Sequence, residues 1–178
     1  MAHTVARAAL ISGSPSPTSR SRTLLERARR RLAALDCDAV VIDLASLPAD
    51  ALLGRRRDEQ LARAIDTVAA AKIIVASSPV YRATYSGLLK TFFDLLPQDA
   101  LAAKVGVPIL TGATVAHQLA LDHGFRPLFA SLGATSVSLG VYACDAQFEN
   151  GPDQRLLEQV DRAIDEAVAL VPDPARRE

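Results

Sequence analysis

Hydroxyl side chains and arginines are concentrated in one stretch near the start of the chain. Residues 13–25, GSPSPTSRSRTLL, follow a short apolar run and lead into an amphipathic pattern typical of a helix. Unpaired N–H groups and the positive dipole end of a helix N-terminus favour an anion, and hydroxyls donate to phosphate oxygens while Arg20 or Arg22 adds charge. A phosphate monoester site is one interpretation of this stretch, and simple capping of the helix by serine and threonine is the other. The hydroxyl residues are Ser14, Ser16, Thr18, Ser19 and Ser21.

The same stretch lacks two common nucleotide-binding motifs. It has no lysine of the G-x-x-x-x-G-K-[ST] type, and it has no G-x-G-x-x-G series of three glycines. The sequence therefore supports neither a nucleoside triphosphatase nor a Rossmann domain for dinucleotides.

Two further loops carry residues suited to a planar ligand. In SSPVYRATYSGLLKTFFD, residues 77–94, Pro79 fixes a turn and Val80 and Tyr81 present an apolar and aromatic surface. In LTGATVAH, residues 110–117, small side chains let backbone amides approach a heterocycle closely, although an ordinary strand-to-helix connection has the same composition. These amides belong to Thr111, Gly112, Ala113 and Thr114.

Lys90 and Asp94, four residues apart, are expected to form an ion pair on a helix rather than to catalyse a reaction.

The elements that position these loops alternate along the chain. Continuous apolar runs of four to seven residues are typical of strands buried on both faces, and amphipathic patterns between them predict helices. We predict a three-layer α/β/α sandwich around a five-stranded parallel sheet, in the flavodoxin-like order 2-1-3-4-5, as a single domain over residues 1–178. Ligands of such sheets bind beyond the carboxyl ends of the strands, where these loops lie. The predicted strands are 8–11, 39–44, 72–76, 105–110 and 137–141, the helices after the first are 58–71, 86–96, 115–132 and 153–171, and 47–57 is predicted as a loop.

Composition narrows the class of partner. Twenty basic and twenty acidic residues give a net charge of zero, which is not the electrostatic footprint of nucleic acid or anionic membrane binding. No run approaches the roughly twenty apolar residues of a membrane span. Cys37 and Cys144 fit no metal spacing, and we expect no metal site and a cytoplasmic location. The tail at 172–178 is expected to fray.

Taken together, three segments resemble the NADPH-dependent FMN reductase family. They are GSPSPTSRSRTLL, SSPVYRATYSGLLKTFFDLLP and LTGATVAHQLALDHGFRPLFASLGA. The resemblance extends from the first strand to about Val141, and it is greatest to the flavin reductases of two-component alkanesulfonate and methanesulfonate monooxygenase systems.

The resemblance implies a flavodoxin-like fold and a defined flavin site. The first loop is expected to hold the FMN phosphate, the second to flank the isoalloxazine, and the third to meet its polar edge. Arg20 and Arg82 are also candidates for the phosphates of the pyridine nucleotide. The implied cofactor-binding residues are Ser14, Ser19, Arg20, Ser21, Pro79, Val80, Tyr81, Arg82, Thr111, Gly112, Ala113 and Thr114.

The fourth predicted helix departs from regular spacing at residues 122–127, DHGFRP. An inserted residue that makes a π-bulge explains the slip, and a kink at Gly124 and Pro127 is the alternative. In the alkanesulfonate reductases a tyrosine usually occupies the inserted position at a tetramer interface. Here the matching residue is His123, as in the methanesulfonate type, and the resemblance implies a homodimer or homotetramer.

The expected reaction is hydride transfer from NAD(P)H to FMN, with no catalytic side chain because the flavin itself supplies the chemistry. The resemblance further implies that reduced FMN leaves to serve a monooxygenase that removes sulfite from an organosulfonate. The alternatives are a reductase that keeps its FMN and reduces quinones, azo compounds or metal ions, and a flavodoxin-like electron carrier. A hydrolase is disfavoured because the chain has no G-x-S-x-G elbow.

Overall fold

A central sheet organises the computed structural model, which describes residues 7–171; the predicted frayed tail lies outside the described residues. Five strands run parallel in the order β2-β1-β3-β5-β6, β7 also pairs in parallel with β5, and β4 pairs antiparallel with β3. This is the flavodoxin-like order predicted from the sequence. The strands are β1 (Arg7–Ser12), β2 (Asp38–Asp43), β3 (Ile73–Tyr81), β4 (Thr84–Tyr85), β5 (Val105–Gly112), β6 (Thr135–Ser136) and β7 (Val141–Cys144).

The predicted count of five strands is only roughly matched, because the sheet also contains β4 and because two short strands, β6 and β7, stand in place of the expected fifth strand at 137–141. Strand β6 pairs with 105–106 and β7 pairs with 109–112. The four residues 137–140 therefore lie opposite only two residues of β5, and such a length mismatch interrupts a ladder. Side chains replace the lost pairing: Arg126 donates to the Ser138 carbonyl at 2.7 Å, and Glu166 accepts from the Ser138 N–H at 2.6 Å.

Helices cover both faces of the sheet, as the sequence predicts. Alternate residues of β1 point into two separate cores: Ala8 and Leu10 pack with α1 and α6, whereas Ala9 and Ile11 pack with the elements between β2 and β6. This alternation is what buries a parallel strand on both sides. The helices are α1 (Arg20–Ala34), α2 (Ala49–Leu52), α3 (Glu59–Ala70), α4 (Gly87–Phe93), α5 (Arg126–Ser131) and α6 (Gln154–Leu170).

The segment predicted as a loop at 47–57 contains the short helix α2. Pro48 occupies its N-cap position and Gly54, with φ of 69°, follows its end. Proline and glycine are favoured near the start and just past the end of a helix, so Pro48 and Gly54 mark the two ends of a short helix within the predicted loop.

The single helix predicted at 115–132 is three consecutive segments. They are a 3₁₀-helix (Val115–Gln118), a π-helix (Leu121–Phe125) and α5. A Cβ on Gly124 would lie 2.4 Å from Thr84 Oγ1, so glycine lets the π-helix pack directly on β4. Pro127 lies in the first turn of α5, directly after the π-helix. No helix within residues 7–171 is long and apolar enough to cross a membrane.

Candidate functional site

The loop after β1 packs tightly against the neighbouring elements. The Gly13 N–H donates to the Ser77 carbonyl at 2.8 Å. A Cβ on Gly13 would lie 2.8 Å from Leu89 Cβ in α4, so only glycine fits this approach. The backbone of the loop is therefore held in place before any ligand arrives.

Both interpretations of the hydroxyl-rich stretch have a counterpart at the start of α1. Ser19 is the N-cap, and its Oγ accepts from the Arg22 N–H at 3.2 Å and lies 3.2 Å from Ser21 Oγ. Ser14 Oγ accepts from the Ser16 N–H at 3.2 Å. Among the described residues, the Arg20 and Ser21 N–H groups have no partner. Capping by Ser19 thus coexists with two backbone donors at the positive end of a helix.

A serine cluster that the sequence interpretation missed joins the first two loops. Ser86, the N-cap of α4, donates from its Oγ to the Gly13 carbonyl at 2.5 Å and accepts from the Leu89 N–H at 3.1 Å. The Ser86 N–H donates to Ser78 Oγ at 2.8 Å, and Ser77 Oγ donates to the Ser21 carbonyl at 2.7 Å. Two sequence signals were available: the paired serines at a buried strand end, and Ser86 at the start of the helix predicted at 86–96, where Ser86 is indeed the N-cap.

The second loop is a β-hairpin that extends β3 beyond the sheet. Val80 pairs with Tyr85 and Tyr81 with Thr84, so Arg82 and Ala83 form a two-residue turn. Both turn residues have positive φ, 50° and 72°, as primed hairpin turns require. Neither is glycine, and L-residues in this region are strained. The hairpin leaves the Tyr81 side chain half exposed.

The third loop is braced by a tyrosine from β7. Tyr142 Oη donates to the Thr114 carbonyl, and burial raises the pKa of this phenol. A Cβ on Gly112 would lie 2.5 Å from the same Oη. Glycine therefore lets the tyrosine reach across the end of β5.

The three loops line one open cavity of about 380 Å³, within the usual range for a small-molecule site. Nine of the twelve sequence-predicted residues line it: Ser14, Ser19, Arg20, Pro79, Val80, Tyr81, Thr111, Gly112 and Ala113. Ser21 does not line it, because its side chain is buried against Ser19. Arg82 lies in the hairpin turn and Thr114 beyond the end of β5, and both are exposed. Two other predictions from the sequence are confirmed. Lys90 and Asp94 form the expected ion pair, and His123 lies, exposed, in a π-helix.

Three lining residues were not on the predicted list, namely Ser16, Thr18 and Asp145. The two hydroxyls belong to the stretch that the sequence singled out. Asp145 follows β7, and its carboxylate forms an ion pair with Arg20. The signal that points to it is its place at the carboxyl end of the last strand, next to β5 in the sheet.

A second cavity, of about 560 Å³, lies along α1 and shares Thr18 and Ser19 with the first. Its lining includes three arginines, but each already has a carboxylate partner. Arg22 pairs with Asp43, Arg27 with Asp161, and Arg30 with Glu26. The smaller cavity, by contrast, lies at the carboxyl ends of the neighbouring strands β1, β3 and β5, where ligands of such a sheet bind, so we assign the functional site to it.

Comparison with known proteins shows which family this chain resembles. The model of the family described as NADPH-dependent FMN reductase matches residues 6–149. The chain belongs to this family of oxidoreductases. Membership confirms the resemblance stated from the three sequence segments.

Individual relatives align with most of this chain. An FMN reductase (NADPH) from Pseudomonas putida is 42% identical over 138 residues, which is 77% of this chain and 70% of the relative. The NADH-dependent FMN reductase SfnF of Pseudomonas putida is 32% identical over 176 residues, or 93% of each chain. The crystal structure of an NADH:FMN oxidoreductase, EMOB, in its apo form superposes with a TM-score of 0.87 at 36% identity, covering 98% of this chain and 95% of that one.

The donor set of the cavity fits FMN on structural grounds. One end offers hydroxyls, Arg20 and two unpaired helix N–H groups to a single phosphate, and the other offers the apolar and aromatic Pro79–Tyr81 surface. Ser12 Oγ is buried without a partner among the described residues, and its strand neighbour Ser77 reaches the first turn of α1.

Proposed function

We propose that the protein is an NAD(P)H-dependent FMN reductase. When bound, FMN supplies the redox chemistry, since its N5 accepts the hydride that leaves C4 of the nicotinamide. The observation that carries the proposal is the meeting of three loops at one cavity, polar at one end and apolar-aromatic at the other, in a chain of this family.

The residues at the start of α1 would hold the phosphate. Ser14, Ser19 and the Arg20 guanidinium line that end of the cavity, and the N–H groups of Arg20 and Ser21 add the helix dipole. The Ser21 side chain has an indirect role in this proposal, because its hydroxyl holds the Ser19 hydroxyl from below. Ser16 and Thr18 extend the set of donors.

The other two loops would hold the ring. Pro79, Val80 and Tyr81 provide a flat apolar surface, and the backbone of 111–113 provides dipoles beside it. Fixed dipoles stabilise the negative charge that develops on a reacting ring without reorganisation. Tyr142 keeps this backbone in place by binding the Thr114 carbonyl. No side chain is required as an acid or base.

The nicotinamide would stack on the exposed side of the ring, next to the hairpin. Tyr81 is half exposed and Arg82 is exposed in the turn, so both are available to a second ligand. Correct stacking of the two rings is the main contribution the chain makes to hydride transfer. Arg82 is proposed to bind a phosphate of the pyridine nucleotide.

We further propose that reduced FMN is released to a partner monooxygenase that desulfonates an organosulfonate. The support is the resemblance stated above and the similarity to the NADH-dependent FMN reductase SfnF. A cytoplasmic, single-domain protein that forms a homodimer or homotetramer belongs to the same proposal. The balanced net charge disfavours the alternative of an electron carrier, which needs an acidic docking surface.

Rapid mixing of the purified protein with NADH or NADPH, with and without added FMN, tests the proposal. We expect the flavin absorbance to bleach anaerobically with at least one of the two nucleotides, and we expect turnover to require added FMN. No bleaching with either nucleotide would favour an electron carrier. FMN retained through dialysis, together with quinone reduction without added flavin, would favour a reductase with a permanent prosthetic group.

A further inference from the structure

The carboxylate of Asp145 lies at the phosphate end of the cavity, where a dianionic ligand is expected. We propose that Asp145 weakens FMN binding by competing with the flavin phosphate for Arg20, and so keeps the flavin exchangeable. This inference rests on the proposed function and assigns a specificity-determining residue to the same site.

The geometry places both members of the ion pair on the ligand side. Asp145 and Arg20 line the same cavity as Ser14 and Ser19. The contact is made by one terminal nitrogen, Arg20 Nη1, to Asp145 Oδ1. The guanidinium carbon also lies 5.5 Å from the centre of the Phe148 ring, in the turn that Asp145 begins. Stacking on Phe148 lets the guanidinium stay in place when its partner anion changes.

The pair also provides the negative charge that the start of α1 otherwise lacks. The first turn of α1 has no acidic residue, although the positive end of a helix dipole favours one. Asp145 reaches this position from a distant part of the chain, across 125 residues. Its carboxylate therefore lies in the same cavity, and on the same guanidinium, as the phosphate in our proposal.

The exposure of the pair makes it displaceable. The side chains of Arg20 and Asp145 are 47% and 53% exposed, and ion pairs at such exposure contribute little to stability. A phosphate therefore displaces the carboxylate from Arg20 at low cost. The carboxylate remains nearby, however, and its repulsion of the bound phosphate lowers the affinity for FMN.

The sign of the effect separates this proposal from its main rival, in which Asp145 holds Arg20 in position for the phosphate. Under competition, Asp145→Asn tightens FMN binding. Under positioning, the same change weakens it. Riboflavin, which has the same ring and no phosphate, reports on any effect that does not involve the phosphate.

Isothermal titration of the full-length, flavin-free protein with FMN and with riboflavin measures this. We expect the Kd for FMN to fall about ten-fold in Asp145→Asn, as expected for removing one charge that faces a partly exposed dianion. The Kd for riboflavin should stay within about two-fold, and the FMN affinity of the variant should fall more steeply with added salt than that of the unchanged protein.

Asp161→Asn is the matched control, because it removes the same charge from another arginine pair, with Arg27, outside the cavity. We expect it to leave both dissociation constants unchanged. Unchanged or weaker FMN binding in Asp145→Asn, or an equal gain for riboflavin, would overturn the proposal. Failure of the unchanged protein to bind FMN would instead refute the proposed function.

Discussion

At the scale of single residues, the site depends on small side chains that connect one loop to another. Ser86 is the clearest case, because it is buried and its hydroxyl serves the Gly13 carbonyl and the Leu89 N–H at once. It thereby fixes the loop after β1 and caps α4 with one atom. Loss of this hydroxyl is expected to disturb both loops together.

We predict that Ser86→Ala lowers the free energy of unfolding by about 2–3 kcal/mol, the sum of a lost helix cap and an unpaired buried carbonyl. Its FMN affinity should also fall, since the loop holding the phosphate loses an anchor. Urea unfolding and flavin titration measure the two effects. Ser131→Ala is the control, because Ser131 Oγ only donates to the Leu128 carbonyl within α5. Equal stability of the two variants would show that Ser86 is not an anchor.

At the scale of elements, the hairpin of β3 and β4 is the part of the site built with strain. Arg82 and Ala83 adopt positive φ without being glycine, while the strand ends beside them are regular pairs. The short β4 is also packed beneath the π-helix at Gly124. The packing of these elements thus holds a turn that its own residues disfavour.

We predict that Ala83→Gly leaves the stability unchanged or raises it by up to about 1 kcal/mol, because relief of left-handed strain outweighs the added chain entropy. Ala130→Gly makes the same chemical change at an exposed position in α5. There it should cost about 1 kcal/mol, as glycine does inside a helix. Thermal unfolding of both variants measures the two changes in stability, which we expect to differ in direction. If Ala83→Gly loses as much stability as Ala130→Gly, the turn at Ala83 is not strained.

At the scale of the whole molecule, apolar surface remains exposed beside the cavity. Val115 and Leu119 are 66% and 63% exposed on the 3₁₀ segment and its end. The resemblance implies a subunit interface on this predicted helix, with His123 at the position matched to the inserted tyrosine. Contiguous apolar surface of this kind is typical of such interfaces, and the interface itself stays a prediction.

We predict that the protein sediments as a dimer or tetramer and that Leu119→Glu shifts it toward monomer, because a charge buried between subunits is unpaired. Leu53→Glu, at an exposed leucine next to α2, should leave the assembly unchanged. Analytical ultracentrifugation distinguishes the species. His123→Ala belongs in the same series: an unchanged oligomer and unchanged flavin turnover would remove any special role for His123.

The sequence by itself determined the order of the elements, and the resemblance of three segments to a family indicated the class of ligand. Apolar runs show which segments are buried on both faces, and loops after parallel strands meet at one sheet edge, so the sequence placed Ser14–Ser21 and Pro79–Tyr81 at the same edge, while composition alone left a phosphate site and a helix cap both open for the first loop. Family membership also follows from these segments. The local sequence pattern is sufficient to predict those features of the fold that depend only on which segments are buried and on their order along the chain.

Only the tertiary structure decided which backbone hydrogen bonds and which ion pairs form between segments that are distant in the sequence. The division of β6 from β7 depends on pairing with β5, and the π-helix bounds depend on packing against β4. The approach of Asp145 to Arg20 spans 125 residues. These features are absent from local pattern because hydrogen-bond partners and ion pairs are chosen by proximity in the fold, which periodicity does not encode.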